Sequence, residues 1–394
     1  MLNDAALAGI LQDQSQLSKT QNELSSGLSI NSPSDNPVAE VQLLQLTAAS
    51  SQDQQYLSNG QSASTSLSLE QQALSNATST LQSVQGLLVQ ANNATNTPAD
   101  LKDIATEIQQ LEQQLMGVAN SQDAQGQYLF GGYAVNTQPF ARGSTGSVSY
   151  LGDSGVRSVQ LDGGTSVQTG DAGSSVFMNI PGGNGTFTVS ASAGNTGTGV
   201  VDAGTVTDPS AWVPDQYTVS FTSPIAYQVT NSAGTVVSTG SYDPSTGGSI
   251  SFDGIEVGLN GAPATGDTFT IAPSGRQSVF DTLDSVVSAL SNAGSSTASR
   301  ARLSSMLAGA QQQLSQAMSQ VSNVTTSVGT RLSLISSLKT SVSTQSTTVQ
   351  TQISSVDSLN YAAATSQYSQ EYLALQAAEQ SYAQLGQLSL FKYL

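Results

Sequence analysis

Residues 307–363 read LAGAQQQLSQAMSQVSNVTTSVGTRLSLISSLKTSVSTQSTTVQTQISSVDSLNYAA. An apolar residue falls at every seventh position: Leu307, Leu314, Val321, Val328, Ile335, Val342, Val349, Val356 and Ala363. A sustained seven-residue period marks a long helix with one buried edge. The companion edge is mixed. Val324, Leu338 and Leu359 fit it, whereas Arg331, Gln345 and Gln352 do not. One strong stripe beside a mixed one suits a helix packed in a bundle better than an isolated two-stranded coil.

Such a helix needs a partner, and the other end of the chain carries one. From Leu46 to Ala91 a 3-4 alternation runs through Leu46, Ala49, Asp53, Tyr56, Gly60, Ala63, Leu67, Glu70, Leu74, Ala77, Leu81, Val84, Leu88 and Ala91. Only Asp53, Gly60 and Glu70 break its apolar character, so it reads as a continuous seam. A helix of roughly 55 residues would be about 80 Å long. After the loop NNATNT, Thr97 reads as an N-cap, with Pro98 at the first helical position and Asp100 favourable in the first turn. Leu101, Ile104, Ile108, Leu111, Leu115 and Val118 then continue at helical spacing. A shorter helix with Val279, Phe280, Leu283, Val286, Val287 and Leu290 precedes the long C-terminal one, and NAGSS at 292–296 separates the two.

Between the flanks the composition changes. Residues 140–275 hold 24 of the 36 glycines and 7 of the 11 prolines, whereas 276–394 hold no proline, so glycine and proline divide the chain into three parts. SVSYL, VRSVQL, SVFMNI, TFTVSAS, YTVSFT, IAYQVT, SISF and DTFTIA are short β-branched and aromatic runs with turn residues between most of them. They predict antiparallel hairpins in a compact sandwich or barrel-like domain, with Trp212 as a partly buried loop anchor. The expected architecture is therefore an α+β multidomain chain. Its N- and C-terminal segments form one antiparallel long-helix bundle, and an all-β domain is inserted between them.

Near the start, residues 23–37 read ELSSGLSINSPSDNP. Pro33 and Pro37 bias the residues before them away from the helical region, which predicts the end of a first helix. Asn36 suits an N-cap with Pro37 in the first helical position, and Gly27 weakens the helix before the break. Gly27, Pro33, Asn36 and Pro37 are thus a candidate hinge. It separates a short terminal helix, marked by Ile10, Leu17 and Leu24 seven residues apart, from the long one. The domain boundaries that follow are 1–36, 37–140, 141–275, 276–359 and 360–394.

Composition bounds the chemistry. The formal net charge is −17, from 27 acidic and 10 basic residues, which argues against nucleic acid and against an anionic membrane surface as partners. Charged residues are only 9% of the chain, so its surface is built mainly from Ser, Thr, Gln and Asn. Cysteine and histidine are both absent. Disulfides, thiolate nucleophiles, Cys/His zinc sites and a histidine general base are therefore excluded. The GNTGTG run at 194–199 lacks the strand-to-helix setting of a dinucleotide fingerprint, and the carboxylates match no EF-hand loop. No catalytic, cofactor or metal residues are expected, and no enzymatic activity. The start of the chain lacks the basic and apolar regions of a secretory signal, and no run of about 18 apolar residues could span a bilayer.

The stretch LSSGLSINSPSDNPV resembles the N-terminal signature of the flagellin superfamily, in the proline-containing form of its hook-associated junction proteins. GQYLFGGYAVNTQPF at 126–140 and FDGIEVGLNGAPATGDTFTIAPS at 252–274 resemble segments of the same group. So do SVGTRL at 327–332 and the ending that starts YAAATSQYSQEYL at 361. Relative to that family Ile10 arrives early, which predicts a terminal helix shortened at its start. The resemblance implies a flagellin-like rod and a structural subunit at the hook–filament junction of the extracellular bacterial flagellum. It implies assembly in a ring of like subunits, beside a neighbouring hook-associated junction protein and flagellin. It also implies export through the flagellar type III channel, guarded by a cytoplasmic chaperone at the C-terminal helix. The expected assembly interface combines Ile10, Leu17, Leu24 and Leu28 with Tyr361, Tyr368, Leu375, Tyr382, Leu385, Leu388, Leu390 and Phe391. Short helices are marginal alone in water, so both ends are expected to order against each other and against neighbours. Two other readings stay open: a filament-forming flagellin variant, and an adhesin with a helical stalk.

Overall fold

The computed structural model describes residues 2–144 and 146–390, with the side chains of residues 4–144 and 146–384. Helices occupy both ends of the chain: α1 (Leu2–Ser26), α2 (Pro37–Ala91), α3 (Pro98–Ala119), α4 (Val279–Ser291), α5 (Thr297–Asp357) and α6 (Tyr361–Leu390). Short antiparallel strands fill the middle. The expected fold class is the observed one. Two compact units share these elements. The smaller gathers the chain ends, through Gly60 and from Ser336, with Leu161–Gly164; the larger holds the rest.

The N-terminal seam is buried at every step from Gly60 to Ala91 and half-buried from Leu46 to Tyr56. The C-terminal seam is buried from Leu307 through Val349. In the larger unit the Ser304 hydroxyl bonds Asn92 Oδ1 at 2.8 Å, so the end of α2 meets the start of α5. In the smaller unit a Cβ on Gly60 would lie 2.9 Å from Lys339 Cγ. Glycine there leaves room for the lysine stem, which accounts for one of the three non-apolar positions in the seam.

The seam departs from expectation at its end. Val356 is only half-buried and Ala363 is exposed. α5 stops at Asp357 and α6 restarts at Tyr361, and the interruption shifts the phase so that Ala364 is buried instead. Asn360 caps the new helix, its Oδ1 accepting from the Ala363 amide at 3.2 Å.

At α3 the cap is as the sequence predicts. The Asp100 amide donates to Thr97 Oγ1 at 3.2 Å, and Asp100 Oδ2 accepts from the Thr97 amide at 2.8 Å. Pro98 occupies the first turn, where a missing N–H costs nothing. The bond from the Thr97 amide, and then one from its hydroxyl at 2.8 Å, hold the Asp100 carboxyl below its usual range. Losing a threonine cap costs about 1 kcal/mol. Thr97→Ala is therefore expected to lower the thermal midpoint by a few degrees, and differential scanning calorimetry checks it.

Within the larger unit, five antiparallel strands form one sheet in the order Val236–Ser241, Ala226–Thr230, Tyr217–Ser223, Thr268–Pro273, Phe187–Ala191. The second sheet is built on Ile255–Asn260. Gly248–Phe252 pairs along one side of it, and Val200–Val201 and Thr205–Val206 pair with it in turn on the other. Strand alternation turns Tyr217, Val219 and Phe221 from one sheet, and Ile255, Val257 and Leu259 from the other, into a shared core. Trp212 lies half-buried against the rings of Phe187 and Tyr217.

None of the described residues between 140 and 181 belongs to that core. Phe140, Phe177 and Phe130 instead form a separate cluster that includes Phe280 at the start of α4, with centroids 5.4–5.6 Å apart for the Phe130–Phe177, Phe140–Phe177 and Phe140–Phe280 pairs. The SVFMNI run, expected as a strand, is mostly a π-helical turn at Ser174–Met178. Val176 and Phe177 are adjacent and both fully buried, which a two-period strand with one wet face cannot provide.

Candidate assembly surface

The first helix ends earlier than the prolines imply. α1 stops at Ser26 because Gly27 adopts φ +75°, and the Gly27 amide closes back on the Glu23 carbonyl at 2.8 Å. Pro33 instead sits inside a turn closed by the Asp35 amide on the Ser32 carbonyl. Asp35 also accepts from the Ser32 amide at 2.9 Å and pairs with Lys19 at 3.1 Å. The Lys19 hydrogen bond, followed by that from the Ser32 amide, holds the Asp35 carboxyl below its usual range. Asn36 caps α2 as predicted, its Oδ1 accepting from the Ala39 amide at 3.1 Å, and Pro37 is the first helical residue.

Sequence reasoning missed the partner of this hinge. The second interruption, between α5 and α6, lies directly against the first. Leu28 and Ser358 face each other in an antiparallel bridge. The Ser29 amide donates to the Asp357 carbonyl at 2.7 Å, and the Leu359 amide donates to the Gly27 carbonyl at 3.1 Å. The readable signal was the start of a new capped helix at Asn360, which implies a stop just before it.

Beyond the paired breaks, α1 and α6 pack on each other. Ile10, Leu17 and Leu24 on α1 are half-buried, as are Tyr368, Leu375 and Tyr382 on α6. Thr20 is fully buried, and its hydroxyl donates to Glu371 Oε2 at 2.7 Å. Leu28 lies in the break rather than on a helix and is exposed, and Tyr361, the first residue of α6, is 55% exposed. The side chains of Leu385, Leu388 and Leu390, and all of Phe391, lie outside the described residues. The pair leaves apolar groups uncovered: Leu7 and Leu11 on α1, Tyr372 and Leu373 on α6. Tyr372 stacks on Tyr368 with the rings 12° apart. Val38, Val41 and Leu44, on the first turns of α2, are exposed as well. Among the described residues no group of three or more potential metal ligands occurs, and no helix is long and apolar enough to cross a membrane.

Long helices from both ends of the chain, interrupted together near the terminal pair and carrying an antiparallel β insertion, define a flagellin-type protein. Residues 1–135 match the bacterial flagellin N-terminal helical region, and residues 190–273 match the D2-like domain of flagellar hook-associated protein 1. Flagellar hook-associated protein 3 of Salmonella typhimurium is 30% identical over 180 residues, which cover 46% of this chain and 56% of that protein. The chain thus spans about half the length of the curated relatives it matches. The crystal structure of FlgL from Xanthomonas campestris is similar at 33% identity and TM-score 0.73, over 79% of this chain and 99% of that one. Hook-associated protein 3 of Legionella pneumophila is similar at 28% identity and TM-score 0.75, over 79% of this chain and 98% of that one. The chain belongs to the flagellar hook-associated protein 3 family of the flagellin superfamily.

Proposed function

We propose that the protein is a structural subunit joining the flagellar hook to the flagellin filament, with no catalytic role. Family membership supports this reading, and one observation carries it: the α1–α6 pair buries its seven-spaced stripes only halfway and keeps Leu7, Leu11, Tyr372 and Leu373 uncovered. A pair left in that state gains free energy when neighbours cover it. The stripes Ile10, Leu17, Leu24 and Tyr368, Leu375, Tyr382, with Leu28 and Tyr361 beside the break, then form the assembly interface. Leu385, Leu388, Leu390 and Phe391 extend it. In this reading residues 1–36 and 360–394 are the assembling ends, 37–140 and 276–359 the helical support, and 141–275 the outward domain.

The partners are like subunits in a ring, the adjoining hook-associated junction protein and flagellin, in the extracellular flagellum. Delivery is by type III export as an unfolded chain, with a cytoplasmic chaperone on α6 beforehand. The absence of cysteine suits a chain that travels unfolded without cross-linking.

A chain ending at Asn360 is expected to keep the larger unit folded but to leave a strain lacking its own copy without filaments. Electron microscopy of the cells reads the result. Filaments of normal number and length on cells carrying the truncated chain would overturn the proposal. Long filaments grown from the purified full chain alone would point to the flagellin reading instead.

A further inference from the structure

Asparagine precedes glycine at Asn59–Gly60, Asn184–Gly185 and Asn260–Gly261. In such a pair no side chain on the second residue obstructs its amide nitrogen from reaching the asparagine side-chain carbonyl. The fold holds the three pairs differently. Gly60 lies inside α2, where helical bonding occupies its amide, and Asn59 Oδ1 accepts from Gln55 Nε2 at 2.9 Å. At the second pair the Gly185 amide donates to the Gly182 carbonyl at 2.9 Å. Asn184 Oδ1 accepts from the Thr186 and Phe187 amides, and its Nδ2 donates to the Ala203 and Gly204 carbonyls. The third pair is loose. Asn260 ends the strand Ile255–Asn260, and both it and Gly261 are exposed. Among the described residues neither the Asn260 side chain nor the Gly261 amide has a hydrogen-bond partner. Gly261 adopts φ +87°, a conformation open to glycine.

We infer that Asn260–Gly261 is a self-modifying site, at which the folded chain converts Asn260 to aspartate and isoaspartate well ahead of the other two asparagines. The Gly261 nitrogen gives its proton to solvent base and bonds to Asn260 Cγ, and the side-chain nitrogen leaves as ammonia. One water then opens the five-membered imide at either carbonyl. One opening gives ordinary aspartate. The other gives isoaspartate, whose main chain runs through the former side chain and is one methylene longer. No electrons are transferred, and either product carries one added negative charge. Its place in the sandwich makes the longer product disruptive. Buried Tyr242 shares its hydroxyl donor between the Leu259 carbonyl at 3.2 Å and the Gly261 carbonyl at 2.7 Å, one on either side of Asn260. A main chain lengthened between those carbonyls cannot keep both on one hydroxyl. It also shifts the Ala262 carbonyl, which accepts from the Thr198 amide at 2.7 Å. The chemistry needs no partner and is independent of the junction role.

The full native chain, aged in mildly alkaline buffer, tests the site by peptide mapping with mass spectrometry that resolves aspartate from isoaspartate. Conversion at Asn260 should outpace that at Asn59 and Asn184 by on the order of tenfold, because a bonded amide reacts only when its surroundings open. In urea strong enough to unfold the chain, the three should react at comparable rates. Equal rates in the folded chain, or the same ranking after unfolding, would overturn the site. Asn260→Asp supplies the added charge without the longer main chain. Aged native protein, in which isoaspartate is the main product, should therefore lose the sandwich at lower urea than that variant, read by the fluorescence of Trp212 against Phe187 and Tyr217. Coincident urea midpoints would overturn the part given to Tyr242.

Discussion

Replacing Arg331 with methionine is expected to cost about 3 kcal/mol of unfolding free energy, the scale for breaking a largely buried ion pair from one side. Arg331 on α5 holds the Asp171 carboxylate, and both side chains are mostly buried. Asp171 in turn gives its backbone amide to Glu70 Oε1 at 3.1 Å, and Glu70 on α2 is 1% exposed. Arg331 is thus the counter-ion of Asp171, and the Asp171 backbone links that pair to Glu70 on a separate segment of the larger unit. Methionine keeps most of the arginine stem's volume and removes the charge, leaving Asp171 without its counter-ion. Urea unfolding followed by far-ultraviolet circular dichroism measures the loss. Trp212, the single tryptophan, sits against the separate sandwich core, so its fluorescence reports whether the damage stays in the helical part. Arg331→Met combined with Asp171→Asn should recover much of the stability, because the stranded charge is then gone. An unchanged urea midpoint in the single variant would mean that the pair contributes nothing net.

That cluster also measures how far the sequence could be read. The seven-residue period fixes α5, and the 3-4 alternation fixes α2, because each long apolar edge has no stable alternative to burial. Glu70 was a misfit in the first seam and Arg331 a misfit in the second. The fold places the two misfits in one charged cluster, so their positions on buried edges were the signal that something must neutralise them. Their link, Asp171, comes from a loop with no periodicity, and nothing in its neighbourhood announces it. A second case is alike. Arg142 bonds both Glu112, buried on α3, and Asp284 on α4, and no spacing rule connects those three. Local errors had local causes. Pro33 and Pro37 mark the break from its far side, whereas the left-handed backbone of Gly27 ends α1. The aromatic and β-branched residues of SVFMNI suggested a strand where packing against Phe130 and Phe280 dictates a turn. The terminal stripes were legible as seven-residue spacing, but the paired breaks beside them are joined by backbone groups, which every residue carries alike.

Stability is expected to fall as pH rises from about 5 to about 8.5, and Glu70→Gln is expected to flatten much of that fall. Burial, and then the negative charge of Asp171, push the Glu70 carboxyl up to about 8 from an ordinary value of 4.5, with Arg331 only partly opposing them. A carboxyl whose folded pKa lies above its unfolded one favours the folded state fully while it is protonated in both. That contribution is present below about pH 4.5 and is lost as the pH climbs through about 8, because the unfolded chain releases the proton first. Each unit of difference is worth about 1.4 kcal/mol, so even a partial shift makes the native protein at least about 2 kcal/mol weaker at the alkaline end. Glutamine keeps the acceptor for the Asp171 amide and cannot ionise. The variant should therefore match the native chain near pH 5 and exceed it near pH 8.5. Some slope should survive in it, since burial followed by the Asp284 charge pushes Glu112 up to about 7 in the same direction. Urea midpoints across this range decide the matter. Parallel curves for the two proteins would mean that Glu70 is already ionised in the folded state and that Arg331 neutralises both carboxylates at once.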